Sequence, residues 1–183
     1  MPKLVAAALL LVGAATSAQV LDLDGRTVDP FHMAAGAKAI VFLFTASDCP
    51  ISNRYAPEVQ RLYREFAPKG VRFWLVYPNP AETAHSIRDH EKSFGYPAEA
   101  LRDPKQQLVK AARATVTPEA AIFVGGRLVY HGRIDDRIVD LGFERPAPTV
   151  HDLDDALTAI LAGKPVAHPA TQAVGCFIAD MTR

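Results

Sequence analysis

The chain has 183 residues, 49% hydrophobic and 22% charged, enough apolar material for one ordinary core and without a composition break that would argue for two. Lys plus Arg equals Asp plus Glu at 20 each, so the charge balance gives no support to a nucleic acid or an anionic membrane surface as partner. No basic stripe, low-complexity run or fixed-period repeat interrupts it.

Residues 1–18 read as an export signal: Lys3 is the positive n-region, Leu4 to Ala15 the apolar stretch, and Thr16-Ser17-Ala18 a small-residue cleavage site before Gln19. The apolar run is too short for an ordinary membrane-spanning helix. Residues 19–183 are therefore expected as a single exported domain, periplasmic or secreted, with no stable membrane insertion after signal removal. That compartment permits disulfides, and the chain has two cysteines, Cys49 and Cys176.

Val20 to Leu23 followed by Asp24-Gly25-Arg26 reads as a short strand entering a hairpin, and Phe31 to Lys38 as a connection. Ala39 to Phe44 is a buried strand that passes through Thr45-Ala46-Ser47-Asp48 to Cys49-Pro50. From Pro50 to Pro68 the apolar positions Ile51, Tyr55, Val59, Leu62, Tyr63 and Phe66 recur at helical spacing, and Lys69-Gly70 ends that helix. Val71 to Tyr77 is a second buried strand, stopped by Pro78-Asn79-Pro80. A polar surface helix is expected over Glu82 to Phe94, a short strand over Leu101 to Asp103, and a short helix over Lys105 to Arg113, begun at Asp103-Pro104. Ala120 to Val124 and Arg127 to Gly132 form a hairpin across Gly125-Gly126. A last helix is expected from Thr149 as its cap, with Asp152 in the capping-box position, through Gly163. Strands linked through helices pair in parallel and the hairpin pairs antiparallel, so the fold class is α/β, a mixed central sheet with helices on both faces.

Cys49 at a helix start is the first candidate for a reactive atom, because the unpaired N–H groups of a first turn favour S⁻ over SH. Asp48 beside it pulls the other way.

The element order, Asp48-Cys49-Pro50-Ile51-Ser52-Asn53, Thr117-Pro118-Glu119, Tyr130 to Asp136 and Gly175-Cys176 together resemble the exported redoxins of the thioredoxin-like superfamily, the group of alkyl hydroperoxide reductases and thiol-specific antioxidant proteins. The resemblance covers roughly Val20 to Ile178. It implies a thioredoxin-like fold, Pro118 as a cis-proline facing Cys49, and exposed backbone beside it that pairs with an extended thiol-bearing peptide. Two departures stand out. Ser52 replaces the second cysteine of a Cys-x-x-Cys pair, leaving a mixed disulfide, a sulfenic acid or a bond to Cys176 as oxidised forms. The peroxiredoxin pattern is not met, since Val41 stands in the proline place and Thr45 one residue too early.

On this resemblance the protein is an exported thiol-disulfide oxidoreductase. Cys49 is the redox thiol, Cys176 its resolving partner or one end of a static bridge, Pro118 shapes the substrate site, Ser52 hydrogen-bonds the thiolate, and Thr45 and Arg133 support the thiolate or polarise a peroxide. Its partner is a thiol or disulfide protein or a small-molecule oxidant, and no cofactor is needed because exchange uses sulfur atoms alone. A thiol-dependent peroxidase is one alternative. A copper-binding chaperone using Cys49, Cys176 and His131 is another, although His85, His90, His131 and His151 lack tight ligand spacing and read as solvated surface residues. Phe73, Trp74 and Tyr77 are read as core.

Overall fold

The computed structural model describes residues 17–179; most of the expected export signal, through Thr16, lies outside them. Two short strands, β1 (Val20–Leu21) and β2 (Thr27–Val28), form an antiparallel hairpin, followed by the one-turn helix α1 (Pro30–Met33). Next come β3 (Ala39–Phe44), α2 (Pro50–Arg54), α3 (Ala56–Phe66), β4 (Val71–Tyr77), α4 (Ala84–Phe94), β5 (Glu99–Arg102) and α5 (Gln107–Ala112). The rest is β6 (Val116–Thr117), β7 (Glu119–Val124), β8 (Arg127–Gly132), β9 (Ile138–Asp140), β10 (Phe143–Glu144), α6 (Asp152–Leu161) and β11 (Cys176–Phe177).

The main sheet has seven strands in the order β2-β1-β5-β4-β3-β7-β8. β3, β4 and β5 run parallel through helical crossovers, while β7 and β8 join antiparallel, as the Gly125-Gly126 turn requires. All six residues of β3 are buried, because successive side chains of a central strand feed opposite faces and both faces are covered. Val41 and Leu43 enter a core with Val59, Leu62 and Phe66 of α3 and Leu153, Ala156 and Leu157 of α6. Phe42 and Phe44 enter a second core with Trp74, Phe123 and Leu108 and Val109 of α5. Each fully buried side chain of this kind contributes about 1.5–3 kcal/mol. Phe73, Trp74 and Tyr77 lie in these cores, as read from the sequence.

Several local expectations are corrected. The helix over Pro50 to Pro68 is two helices, because Pro57 brings no N–H to the ladder and the chain turns at Tyr55, whose N–H bonds back to Ser52 O at 3.0 Å. α4 begins two residues later than expected: Thr83 and Ser86 form the capping box. The connection before β3 contains α1, started by Asp29, whose carboxylate accepts from the Phe31 and His32 N–H groups. α5 begins only at Gln107 because Asp103 stands off from the helix and accepts three of its N–H bonds, from Gln107, Leu108 and Val109. Thr149 does not cap α6. Its hydroxyl donates to Asp136 Oδ2 at 2.6 Å, and α6 starts at Asp152.

Candidate active site

β3 delivers the chain to the top of the sheet, where the Thr45 N–H continues the pairing onto Val76 O at 2.9 Å. The loop that follows is fixed from the side by Glu82, whose carboxylate accepts the Ser47 N–H at 2.7 Å. Cys49 then takes an extended conformation, φ −88° and ψ 108°, as the residue before α2, with Pro50 in the first helical position where a missing N–H costs nothing. Its thiol donates to Thr117 O at 3.1 Å, and the residue is only 1% exposed.

The cover over Cys49 comes from the far end of the chain. The Thr117–Pro118 peptide is cis, as the resemblance implied. The backbone ahead of it is not open, however: β11 pairs antiparallel with β6, setting Cys176 opposite Thr117 and Phe177 opposite Val116. The Ile178 N–H adds a bond to Thr115 O at 3.0 Å, and the Gln106 side chain donates to Ala179 O at 2.6 Å. Gly175 permits this approach, since a Cβ there would collide with the Thr117 carbonyl oxygen. The strand that was expected to receive a partner peptide therefore holds the chain's own tail, which sets Cys176 opposite the residue whose carbonyl takes the Cys49 thiol, with both cysteines free.

The two thiols are driven apart in acidity. Burial raises the Cys49 pKa, but the neighbouring Cys176 thiol, then Ser52 and then Thr117 outweigh it, and the net direction is down from 9.0. Cys176 is pushed up to about 12, by burial first, then by its hydrogen bond to Cys49, the Cys49 charge and the Asp48 charge. Of the two sulfurs, Cys49 is the readier to ionise and Cys176 holds its proton the more tightly. Activation thus owes more to these neighbours than to a helix terminus, since α2 has only five residues. The Asp48 charge is felt at Cys176.

Of the other sequence candidates, Ser52 (1% exposed) and Thr45 are buried beside Cys49, and Pro118 lies with both around the same small internal space. Arg133 is placed elsewhere: its Nε donates to the buried Asp152 at 2.7 Å, tying the end of β8 to α6. His90 is not solvated; it is buried between Tyr77 Oη at 2.8 Å and Asn53 Oδ1 at 2.7 Å. His131 Nδ1 faces Glu119 Oε1 at 3.6 Å. Among the described residues, the one group of three metal-capable side chains within 4.8 Å is Glu58, Asp135 and His151, so the copper set Cys49, Cys176 and His131 is not assembled.

Tyr96 is a site neighbour that sequence reading missed. Its hydroxyl donates to Ser52 O at 3.3 Å, and its pKa is pushed up to about 12 by burial, with the Cys49 charge raising it further. Gly95-Tyr96-Pro97 read only as a helix stop, and nothing in it signalled contact with a loop more than forty residues earlier. A cavity of about 240 Å³ opens beside the pair, lined by Ala46, Asp48, Pro78, Asn79, Thr117 and Cys176 among others.

A mixed sheet of this order, with a cis-proline facing a cysteine at the start of the first long helical segment, defines a thioredoxin-like protein. Residues 13–130 match the AhpC/TSA family, and the chain belongs to it. Among solved structures, an uncharacterized conserved protein from Geobacillus kaustophilus is 28% identical with a TM-score of 0.78, over 92% of this chain and 91% of that one. A hypothetical protein from Sinorhizobium meliloti is 25% identical with a TM-score of 0.76, over 92% and 93%. A secreted disulfide oxidoreductase from Mycobacterium tuberculosis shares the fold at 16% identity and a TM-score of 0.52, over 79% and 94%. No curated protein matches the chain.

Proposed function

We propose that the protein is an exported thiol-disulfide oxidoreductase that cycles between the Cys49/Cys176 dithiol and a Cys49–Cys176 disulfide. The observation that carries this reading is the delivery of Cys176 to Cys49 by the β6/β11 pairing, with the two thiols shifted in opposite directions. A sulfur of lowered pKa is the better leaving group and is more thiolate at a given pH, while its high-pKa partner keeps its proton. When the pair is oxidised, a Cys49–Cys176 bond forms, a partner disulfide R–S–S–R takes up two electrons, and two R–SH result once the two thiol protons are passed on.

Pro118 and Ser52 are positioning groups in this scheme, and Thr45 is buried with them around the same small space. Export is supported by the amino-terminal pattern and by the secreted description of the Mycobacterium tuberculosis protein of the same fold.

Equilibration across a series of dithiothreitol ratios, followed by acid quench, alkylation and mass mapping, tests the reading. The expected result is a single two-electron transition linking Cys49 to Cys176, abolished in Cys49→Ser and in Cys176→Ser. Independent oxidation of the two thiols, or no intramolecular bond at any ratio, would refute it.

A further inference from the structure

Cys49 is the activated sulfur, yet the docked tail covers it in this arrangement. It is 1% exposed, roofed by β11 and bonded to Thr117 O. The cavity beside the pair is lined by Cys176 and not by Cys49, and Cys176 is only half-buried. Exchange at a disulfide requires the attacking thiolate to approach one of the two sulfurs, and access decides which.

We propose that the oxidised protein receives its partner at Cys176, with Cys49 as the leaving sulfur. The inference rests on the Cys49–Cys176 cycle proposed above and assigns its entry point. A partner thiolate RS⁻ enters through the cavity and attacks Cys176 Sγ. An R–S–S–Cys176 bond forms, the Cys176–Cys49 bond breaks, and the electron pair leaves on Cys49 Sγ; the proton of the original RSH has gone to solvent. A second RS⁻ then attacks the partner sulfur, giving R–S–S–R and a Cys176 thiolate that takes up a proton from solvent. Cys49 has the lowered pKa of the two sulfurs, which suits it to the leaving role in the first step. Cys176, pushed up to about 12, is the poorer leaving group, so the second step is the slower one.

The space fits a small thiol or a single cysteine side chain, and the carboxylate of Asp48 on its wall favours a thiol carrying a positive charge nearby. Such a route leaves the tail docked, whereas attack at Cys49 would require β11 to be pulled from β6.

The test uses the wild-type chain, oxidised to the verified Cys49–Cys176 disulfide and mixed with excess cysteamine. Samples quenched at short times into acidic denaturant are alkylated with N-ethylmaleimide and mapped by mass. The expected early product carries cysteamine on Cys176 and N-ethylmaleimide on Cys49. The opposite labelling, cysteamine on Cys49 and maleimide on Cys176, overturns the entry assignment while leaving the redox cycle intact. A verified disulfide that exchanges with cysteamine at neither sulfur overturns both.

Discussion

Oxidation of the cysteine pair should stabilise the fold, by an amount that separates an exchanging bond from a static staple. Joining Cys49 to Cys176 closes a loop of roughly 130 residues, for which the chain-entropy relation gives about 5 kcal/mol as a ceiling. Against it stands the stabilisation of the Cys49 sulfur by its neighbours in the reduced state, which oxidation removes; a hydrogen bond to a charged group is worth about 1.5–3 kcal/mol. The expected net gain is about 2–3.5 kcal/mol. With an m-value near ~2 kcal/mol/M the urea midpoint of the oxidised protein should lie about 1–1.7 M above that of the reduced protein. By the thermodynamic cycle, the folded pair is then about 45–75 mV more reducing than the same pair in the unfolded chain. The assay is urea unfolding at pH 7 with and without reductant, followed by the fluorescence of Trp74, the single and fully buried tryptophan. An oxidised protein no more stable than the reduced one would show that the tail is strained when bonded. A gain at or above the ceiling of about 5 kcal/mol would show that these neighbours contribute nothing, and the reasoning would fail.

The iodoacetamide rate of reduced Cys49 should fall as pH drops through a midpoint below 9.0, and Ser52→Ala should move that midpoint upward by removing a neighbour that lowers it; an unmoved midpoint would contradict that role. In the same titration Cys176 should stay protonated until the pH approaches about 12, so a second alkylation phase near neutrality would exclude the opposed acidities of the two thiols. Asp103→Ala strands three N–H groups, two of them on buried residues, and should cost about 3 kcal/mol in urea unfolding, with a loss under about 1 kcal/mol counting against its capping role. Arg133→Ala leaves the buried Asp152 carboxylate without its partner and should cost about 2 kcal/mol, less than a fully buried pair because Arg133 is one-third exposed, while the Cys49 alkylation midpoint stays in place. A moved midpoint would return Arg133 to the redox site.

What could be read from the sequence was local. β3 and β4 are continuous apolar runs that only a doubly covered sheet accommodates, and the hairpin follows from Gly125-Gly126, both at positive φ. The break at Tyr55 was legible too, because Pro57 stood in view and a proline two residues into a turn restarts a helix. The site was half legible. Cys49 announced itself by position, but its burial depends on a tail strand whose docking rests on Gly175, and no short-range pattern encodes that pairing. Tyr96, Glu82 and Asp103 act through partners distant in sequence or through caps that skip several residues, which periodicity does not register. Arg133 was misplaced because a hairpin end next to a family motif does not say which way its side chain turns.

The stretch before β11 runs along β8, the last strand of the seven-stranded sheet. The His131 N–H donates to Pro169 O at 3.0 Å, and the Thr171 N–H donates back to His131 O at 3.1 Å. Gly132 leaves room for Thr171 where any Cβ would strike it. The opposite margin is β2, only two residues long. Among the described residues one border is thus only two residues long and the other is capped at its His131 end by the tail, which shortens the edge open to sheet growth between molecules.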